Sequence, residues 1–200
     1  MDIAILTFEG FNELDSFIAS GILNRMKPEG WNVQITCPTE TVTSMNGVTI
    51  QAQQQLEFAN KADVVLVGSG MLTRDVTKDL RILNRLNLNP EKQLIGAQCS
   101  GTLLLAAMDL LGSVPACTDL TTKPWVQEAG VNVLDQAFYA EGNLATAGGC
   151  LASQYLATWV ISKLAGQDAA KSAIHYVAPV GEKEATVEHS LSVVIPYLLA

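Results

Sequence analysis

LIGAQCSGTLLLAAM, residues 94–108, passes from an apolar run of strand length into a stretch of helical character, with only Cys99, Ser100 and Gly101 between the two. A buried strand followed so closely by a helix is typical of α/β proteins with a parallel sheet. Because no loop separates them, Cys99 has to adopt a cramped backbone conformation that lifts its sulfur above the sheet. The segment therefore predicts a nucleophile elbow at Cys99, in which Gly101 relieves the crowding.

Apolar runs and helix-periodic stretches alternate on both sides of this segment. Further strands are predicted at 3–8, 31–38 and 62–68, and helices at 12–26, 73–87, 100–111, 123–130, 150–166 and about 168–175. Asn46-Gly47 predicts a hairpin turn within 41–53, and an extended tail is expected after the last helix. We therefore predict one domain over residues 1–200, with an α/β fold. It is expected to be a three-layer α/β/α sandwich around a mostly parallel, doubly wound, flavodoxin-like sheet.

Composition excludes several classes of protein. Of 200 residues, 48% are hydrophobic and 16% are charged, which rules out a disordered chain. The 20 acidic and 12 basic residues give a net charge of −8, which opposes binding to nucleic acid and to anionic membranes. No apolar run approaches the ~18 residues of a membrane span, and the amino terminus lacks the basic region of a signal peptide. We therefore expect a cytoplasmic protein with neither nucleic acid nor membrane as a partner.

Resident metals and cofactors are not expected either. The cysteines show no CxxC or Cys/His spacing, so neither a disulfide framework nor a zinc site is indicated. The four cysteines are Cys37, Cys99, Cys117 and Cys150. No GxGxxG or P-loop motif is present. The sequence predicts reduced thiols, no metal and no cofactor.

The carboxyl ends of parallel strands meet at one edge of a sheet, so the segments that follow them are candidates for a site. At the elbow, the amides of Ser100 and Gly101 and the helix dipole would lower the pKa of Cys99 and stabilise an oxyanion. The tight turn at residues 68–70 could supply a further amide. The alternative interpretation is a buried, unreactive cysteine beside an ordinary glycine turn.

A carboxyl group at the start of the first long helix is the third candidate. Glu13 and Asp15 both lie in its first turn, where carboxylates stabilise a helix N-terminus. If one of them points into the crevice beside Cys99, it can transfer a proton to or from the sulfur or the substrate. The sequence leaves open which of the two does so.

Segments along nearly the whole chain, about residues 2–180, match one known pattern in order and spacing. They are IAILTFEGFNELD (3–15), ADVVLVGSG (62–70), LIGAQCSGTLLLAAMDLL (94–111), ACTDLTT (116–122) and EGNLATAGGCLASQYLATWVISKLAG (141–166). Together they resemble the DJ-1/PfpI superfamily, also called ThiJ/PfpI or class I glutamine-amidotransferase-like. Within it, the LD of the first helix and the GNLATAGG stretch (142–149) are most similar to the isonitrile hydratase-like branch.

The resemblance implies roles for individual residues. It makes Cys99 the nucleophile and Asp15 the acidic residue bonded to it. The backbone amides of Gly70 and Ser100 would form the oxyanion site, with Ser100 at a position where the hydratases have threonine. Cys150 corresponds to an apolar residue close to the reactive sulfur.

The chain departs from the family pattern at two places. Asp119 stands where many members have a histidine, and residues 68–70 read Gly-Ser-Gly where Pro-Gly-Gly is usual. The two histidines, His175 and His189, lie in the C-terminal segment. A Cys–His–acid triad is therefore disfavoured, whereas a Cys–Asp pair suits addition of a thiolate to an electrophilic carbon.

The leading hypothesis is a cysteine-dependent hydratase or hydrolase acting on a small molecule such as an isonitrile or a reactive aldehyde. The alternatives are a redox sensor whose Cys99 is oxidised to a sulfinate and an intracellular amidase or peptidase-like hydrolase. A ligand-binding domain of a transcription regulator is disfavoured by the acidic charge and by the lack of a helix-turn-helix segment. A homodimer is expected from the high apolar content and from the family's habit of pairing through helices.

Overall fold

The computed structural model describes residues 1–198, and its elements follow the predicted alternation of strands and helices. The strands are β1 (Asp2–Leu6), β2 (Asn32–Cys37), β3 (Thr41–Thr43), β4 (Thr49–Gln51), β5 (Gln54–Gln55), β6 (Val64–Val67), β7 (Leu94–Gln98), β8 (Phe138–Glu141) and β9 (Leu144–Ala147). The helices are α1 (Glu13–Leu23), α2 (Thr73–Val76), α3 (Leu80–Leu83), α4 (Gly101–Ala107), α5 (Lys123–Glu128), α6 (Ser153–Ala165), α7 (Gln167–Val177) and α8 (Lys183–Val194). Short 3₁₀ turns flank several of them, including one at Cys150–Ala152 directly before α6.

The fold is built around one seven-stranded sheet. Its strand order is β5-β2-β1-β6-β7-β9-β8, and every neighbouring pair is parallel except β8 with β9. From β1 the chain winds outward through β2 to β5, then returns to the other side of β1 and winds through β6 and β7. This reversal places a topological switch point between β1 and β6, where ligands bind in open α/β sheets. The predicted doubly wound, mostly parallel sheet is confirmed.

Helices cover the sheet on both faces because successive strand residues point to opposite sides. In β1, Ile3 and Ile5 face a core built with α1, α6, α7 and α8, while Ala4 and Leu6 face a core built with α4. All four of these side chains are at most 1% exposed. The predicted hairpin is also present, with β3 antiparallel to β4 and Gly47 in the left-handed region at φ 88°.

The prediction of a single helix over 73–87 is wrong. The structure has two short helices, α2 and α3, separated at Thr77–Asp79. Asp79 has extended backbone angles, and its side chain accepts a hydrogen bond from the amide of Arg81. The aspartate therefore starts a new helix instead of continuing the old one, a capping role that helical periodicity does not reveal.

The prediction of an extended tail is also wrong, because residues 183–194 form α8. This helix buries only a narrow stripe, Ser190, Leu191 and Val194, against the core shared with α7. Only these three of its twelve residues are buried, so the apolar pattern that predicts a helix is weak here.

Within the described residues, every helix is too short or too polar to traverse a lipid bilayer. The single domain over residues 1–200 stays a prediction, since residues 199–200 lie outside the described range.

Candidate active site

Cys99 occupies the turn between β7 and α4 and has a backbone conformation that residues other than glycine rarely adopt. Its φ is 47°, in the left-handed region, and its amide donates to the carbonyl of Ala147 at 2.8 Å. The residue is 4% exposed. A non-glycine residue held in this conformation costs about 1–3 kcal/mol, which the surrounding hydrogen bonds and packing must offset. The sharp turn predicted from the sequence is present at the carboxyl end of β7.

Gly101 makes this turn possible because the chain passes very close to the neighbouring strand. A Cβ atom at this position would lie 2.6 Å from the carbonyl oxygen of Val67 and 2.8 Å from that of Gly68. Both contacts involve backbone atoms of the central sheet and the loop after it, so neither can move aside cheaply.

We expect Gly101→Ala to lower the free energy of unfolding by about 1–3 kcal/mol, the usual cost of overpacking. Gly21→Ala is the matched control, because this glycine lies within α1 and nothing stands within 4 Å of its added Cβ. It should instead raise the free energy of unfolding by up to about 1 kcal/mol through helix propensity. Urea denaturation of both variants checks the pair, and equal stabilities would contradict the tight crossing at Gly101.

Asp15 reaches Cys99 from the first turn of α1. Asn12 caps that helix, its side chain accepting from the amide of Leu14 at 3.1 Å. The Asp15 side chain points inward and the residue is 2% exposed. One of its carboxylate oxygens, Cys99 Sγ and Cys150 Sγ all lie within 4.8 Å of one another.

The two oxygens of Asp15 differ in their partners. The hydroxyl of Ser69 donates to Oδ2. Oδ1 is buried and has no hydrogen-bond partner among the described residues. A buried acceptor without a donor is costly, and at a reactive centre it marks a group that is free to take a proton.

Glu13, the other carboxyl group that the sequence left open, points elsewhere. It accepts from the hydroxyl of Ser44 at 2.5 Å and from the side-chain amide of Asn46 at 2.8 Å. These bonds hold it against the loop of the β3–β4 hairpin and keep its pKa below the usual range. Of the two candidates, Asp15 is therefore the one beside the cysteine.

Burial dominates the protonation chemistry of the site. It raises the pKa of Asp15, the Ser69 hydrogen bond opposes this, and the negative charge of Asp119 adds to it. Burial, followed by the charge of Asp15, raises the pKa of Cys99 well above that of an ordinary thiol. The expected lowering of the Cys99 pKa by the helix amides is therefore wrong, because burial and the charge of Asp15 raise it. Cys99 is a neutral thiol at rest and needs a base when it reacts.

The proposed oxyanion residues pack tightly against the elbow. The Gly70 amide donates to Ser100 Oγ at 3.2 Å, and a Cβ on Gly70 would lie 2.5 Å from the carbonyl oxygen of Gly10. Thr73 Oγ1 shares a 2.8 Å hydrogen bond with Ser100 Oγ. The Ser100 hydroxyl therefore already occupies one of the two amides assigned to the oxyanion. Sequence reasoning missed Thr73, which is polar and is the first residue of α2, three positions after Gly70.

Two amide side chains that the sequence did not single out contact the sulfur atoms. Gln98 donates from Nε2 to Cys99 Sγ at 3.4 Å and to the carbonyl of Gly149 at 2.7 Å. Asn12 donates from Nδ2 to Cys150 Sγ at 3.1 Å. Gln98 offers a signal in hindsight, since it is a polar residue at the end of an otherwise apolar strand and immediately before the elbow.

No histidine bonds to the Cys–Asp pair within the described residues. His189 Nε2 lies 3.0 Å from the hydroxyl of Tyr155, and His175 lies 3.6 Å from Glu184. Asp119, at the position where the family pattern has a histidine, instead accepts from the amides of residues 121 and 122. A Cys–His–acid triad is thus not assembled among residues 1–198.

Asp15, Cys99 and Cys150 are close enough to share a metal ion. Metal binding requires all three groups to lose their protons. Burial is the largest cause that raises the pKa of each of the three, which opposes that loss. The arrangement suits transfer of one proton between neighbours better than metal coordination, and the absence of a resident metal stays a prediction.

Comparisons with known proteins agree with this architecture. A family model described as DJ-1/PfpI family matches residues 1–163. Schizosaccharomyces pombe DJ-1 has a TM-score of 0.74 at 16% identity, over 90% of this chain and 100% of that one. Drosophila melanogaster DJ-1beta has a TM-score of 0.77 at 20% sequence identity, over 88% of this chain and 96% of that one. A ThiJ/PfpI family protein from Pseudomonas syringae has a TM-score of 0.78 at 19% sequence identity, over 98% of this chain and 87% of that one.

No curated protein matches by sequence. The structural likenesses, at these low identities, show the shared fold. The match of the family model over most of the chain shows more: this chain belongs to the DJ-1/PfpI family.

Proposed function

We propose that this protein is an enzyme that adds water to a small electrophile, with Cys99 as nucleophile and Asp15 as the group that carries the proton. The observation that supports this most strongly is the buried carboxyl group of Asp15, one of whose oxygens lies within 4.8 Å of Cys99 Sγ. A thiol with a raised pKa reacts only if a neighbour accepts its proton. A carboxylate with a raised pKa is a better base than an exposed one, and it returns the proton as a better-matched acid.

With an isonitrile, R–N≡C, the first step forms a covalent adduct. Cys99 Sγ bonds to the terminal carbon while Asp15 accepts the thiol proton, and Asp15 then delivers that proton to the same carbon. The product is the thioimidate R–N=CH–S–Cys99. Because the proton moves only between groups of one buried cluster, the step avoids creating a second charge in a place where charges are costly.

Water completes the reaction. It adds to the thioimidate carbon while Asp15 accepts one of its protons and passes that proton to the substrate nitrogen. The C–S bond then breaks as the new hydroxyl gives its proton, through Asp15, to the departing sulfur, which releases the formamide R–NH–CHO and restores the Cys99 thiol. The sum is addition of one water to the isonitrile.

The proposed charge-stabilising groups are the backbone amides of Gly70 and Ser100. Since Ser100 Oγ accepts from the Gly70 amide, the substrate has to displace this hydroxyl. The hydroxyl has a second partner in Thr73 at 2.8 Å, so it can turn away without being left unpaired.

Incubation with short alkyl isonitriles in ¹⁸O-water tests the reaction. We expect catalytic turnover, with the label found in the carbonyl of the formamide by mass spectrometry. Reactive aldehydes form the second substrate panel, with hydration products followed by NMR. If neither panel is consumed faster by the protein than by its Cys99→Ala variant, the proposal is wrong.

Other functions considered from the sequence find less support. An amidase or peptidase using a Cys–His–acid triad lacks a bonded imidazole among the described residues. A redox sensor remains a second candidate, because a protonated Asp15 could donate to an oxygen on an oxidised Cys99. Selective oxidation of Cys99 by mild peroxide, with no electrophile turned over, would favour it over the enzyme.

We also propose that the protein forms a homodimer. Phe17 on α1 and Leu151 beside α6 are 40% and 67% exposed, respectively, and line one cleft. Apolar side chains left together at a surface are typical of protein interfaces. Light scattering at micromolar concentration should give twice the monomer mass of 21.4 kDa. A monomer mass would contradict the proposal.

A further inference from the structure

Cys150 is a second thiol beside the reactive one, and the proposed reaction does not use it. It is the first residue of the 3₁₀ turn before α6, and its Sγ lies within 4.8 Å of Cys99 Sγ. Unlike Cys99, it is only half-buried. Burial and the charge of Asp15 raise the pKa of Cys150, and the side-chain amide of Asn12, which donates to its sulfur at 3.1 Å, opposes this rise.

The remaining cysteines are not placed to react with Cys99. Cys37 and Cys117 are both 0% exposed, and neither belongs to the cluster formed with Asp15. Burial raises the pKa of each of them to about 12. A chemical role for a second thiol near Cys99 therefore falls to Cys150.

The approach of the two sulfur atoms depends on the side chain of Cys150. The backbone before it is held in place, because the carbonyl of Gly149 accepts from Gln98 Nε2 at 2.7 Å and from the amide of Ala152 at 2.8 Å. A disulfide needs the two sulfur atoms to approach to about 2 Å, with suitable Cβ positions. Formation of the disulfide therefore requires a change of rotamer at the half-exposed Cys150 to close the remaining distance.

We propose that Cys150 is the resolving cysteine of Cys99, so that oxidation of Cys99 by a hydroperoxide ends in a reversible Cys99–Cys150 disulfide. This inference goes beyond the proposed hydration and does not depend on it. It assigns the site a second class of substrate, the hydroperoxide, and a reducing thiol as the partner that restores it.

The first step oxidises Cys99. Asp15 accepts the thiol proton, the sulfur attacks the terminal oxygen of R–O–OH, and the O–O bond breaks. Asp15 then returns the proton to the leaving R–O⁻. The products are Cys99–SOH and R–OH, so the sulfur has lost two electrons and the peroxide has gained them.

The second step closes the disulfide. Cys150 loses its proton to Asp15 and attacks Cys99 sulfur, displacing hydroxide, which takes the proton and leaves as water. The product is Cys99–S–S–Cys150. A dithiol reductant then exchanges with it, becomes a disulfide itself and restores both thiols. Since a sulfinate forms irreversibly in most proteins, the disulfide protects Cys99 from permanent loss.

Treatment of the purified protein with one equivalent of hydrogen peroxide tests the proposal, read out by intact mass and by non-reducing peptide mapping. We expect the loss of two hydrogens, a peptide pair linked through Cys99 and Cys150, and full reversal by dithiothreitol. Cys150→Ser should instead gain two oxygens at Cys99 with excess peroxide, and dithiothreitol should not remove them. Cys117→Ser is the matched control and should form the same linked peptide as the wild type.

Two results would overturn the proposal: a sulfinate at Cys99 of the wild type without the linked peptide, or a Cys150→Ser protein that oxidises as reversibly as the wild type. If Cys150→Ser does not fold, Cys150→Ala replaces it, and the wild-type peptide map decides by itself. The readout is a mass and not turnover. A protein that forms the disulfide but turns over neither isonitriles nor aldehydes therefore refutes the proposed function alone.

Discussion

Cys99→Ala should abolish turnover of every electrophile that the wild type consumes, with a loss in kcat/KM of at least about 10⁴-fold. The reason is that each step of the proposed reaction passes through a bond to Cys99 Sγ, the sulfur at the elbow between β7 and α4. Cys117→Ala provides the control, because this thiol is fully buried outside the cluster, and the variant should stay close to the wild-type rate. Steady-state kinetics on the three proteins measures the effect.

A wild-type rate in Cys99→Ala or Cys99→Ser would contradict the nucleophile assignment. The same position also permits a test without substrate. At a φ of 47°, glycine is less strained than alanine. The free energy of unfolding of Cys99→Gly should therefore exceed that of Cys99→Ala by about 1 kcal/mol. Equal stabilities would show that the elbow is not strained.

Asp15→Asn should lower kcat/KM by about 10²–10⁴-fold, the usual contribution of a positioned acid or base. Asparagine keeps the shape of the side chain and can still accept from Ser69, but it cannot take a proton from Cys99. In the wild type, kcat/KM should rise with pH as Asp15 ionises, with a midpoint above the ordinary value of 3.8 because burial raises its pKa. This rise should be missing from Asp15→Asn.

Asp119→Asn is the matched control for the pH profile. The charge of Asp119 adds to the raised pKa of Asp15, so removing it should move the midpoint of the rise to lower pH without abolishing activity. An Asp15→Asn protein that keeps the rate and the pH profile of the wild type would refute the role of Asp15.

Asp15→Asn should increase stability relative to the wild type, although it lowers activity. Because the pKa of Asp15 is raised in the folded state, the folded protein holds this proton more tightly than the unfolded chain does. The wild type therefore loses stability as pH rises from 3.8 to the pKa in the folded protein, where the unfolded chain ionises first. Asp15→Asn does not titrate, so its melting temperature should rise relative to that of the wild type as the pH increases above 3.8. A constant difference would show that Asp15 titrates normally.

Much of the fold follows from local patterns. The apolar runs predict β1, β2, β6 and β7, and their alternation with helices predicts a parallel sheet covered on both faces. Periodicity does not reveal a helix boundary that depends on a capping side chain, as at Asp79. It also does not reveal a helix that buries only a narrow stripe, as α8 does. Both errors lie away from the carboxyl ends of the central strands, so they leave the candidate site unchanged.

Part of the candidate site also follows from local sequence patterns, and part does not. The strand–Cys–Ser–Gly–helix segment is enough to single out Cys99, because the absence of a loop is itself a geometric constraint. The choice between Glu13 and Asp15 is not local: both lie in one helical turn, and only the position of the β3–β4 hairpin decides which of them is taken up by Ser44 and Asn46. The resemblance to the family named Asp15, but the residues alone did not.

The sequence by itself determined the class of fold, the turn at Cys99 and the absence of a histidine from the family's usual position, because each depends on the order and spacing of neighbouring residues. Only the tertiary structure decided the direction of the pKa shift at the thiol and its distance from Cys150, a residue that the family resemblance alone had placed nearby. The pKa of Cys99 is raised chiefly by burial among groups from several elements, which the local pattern does not show. Cys99 and Cys150 are brought together by the pairing of β7 with β9, whose ends carry the two thiols to the same edge of the sheet.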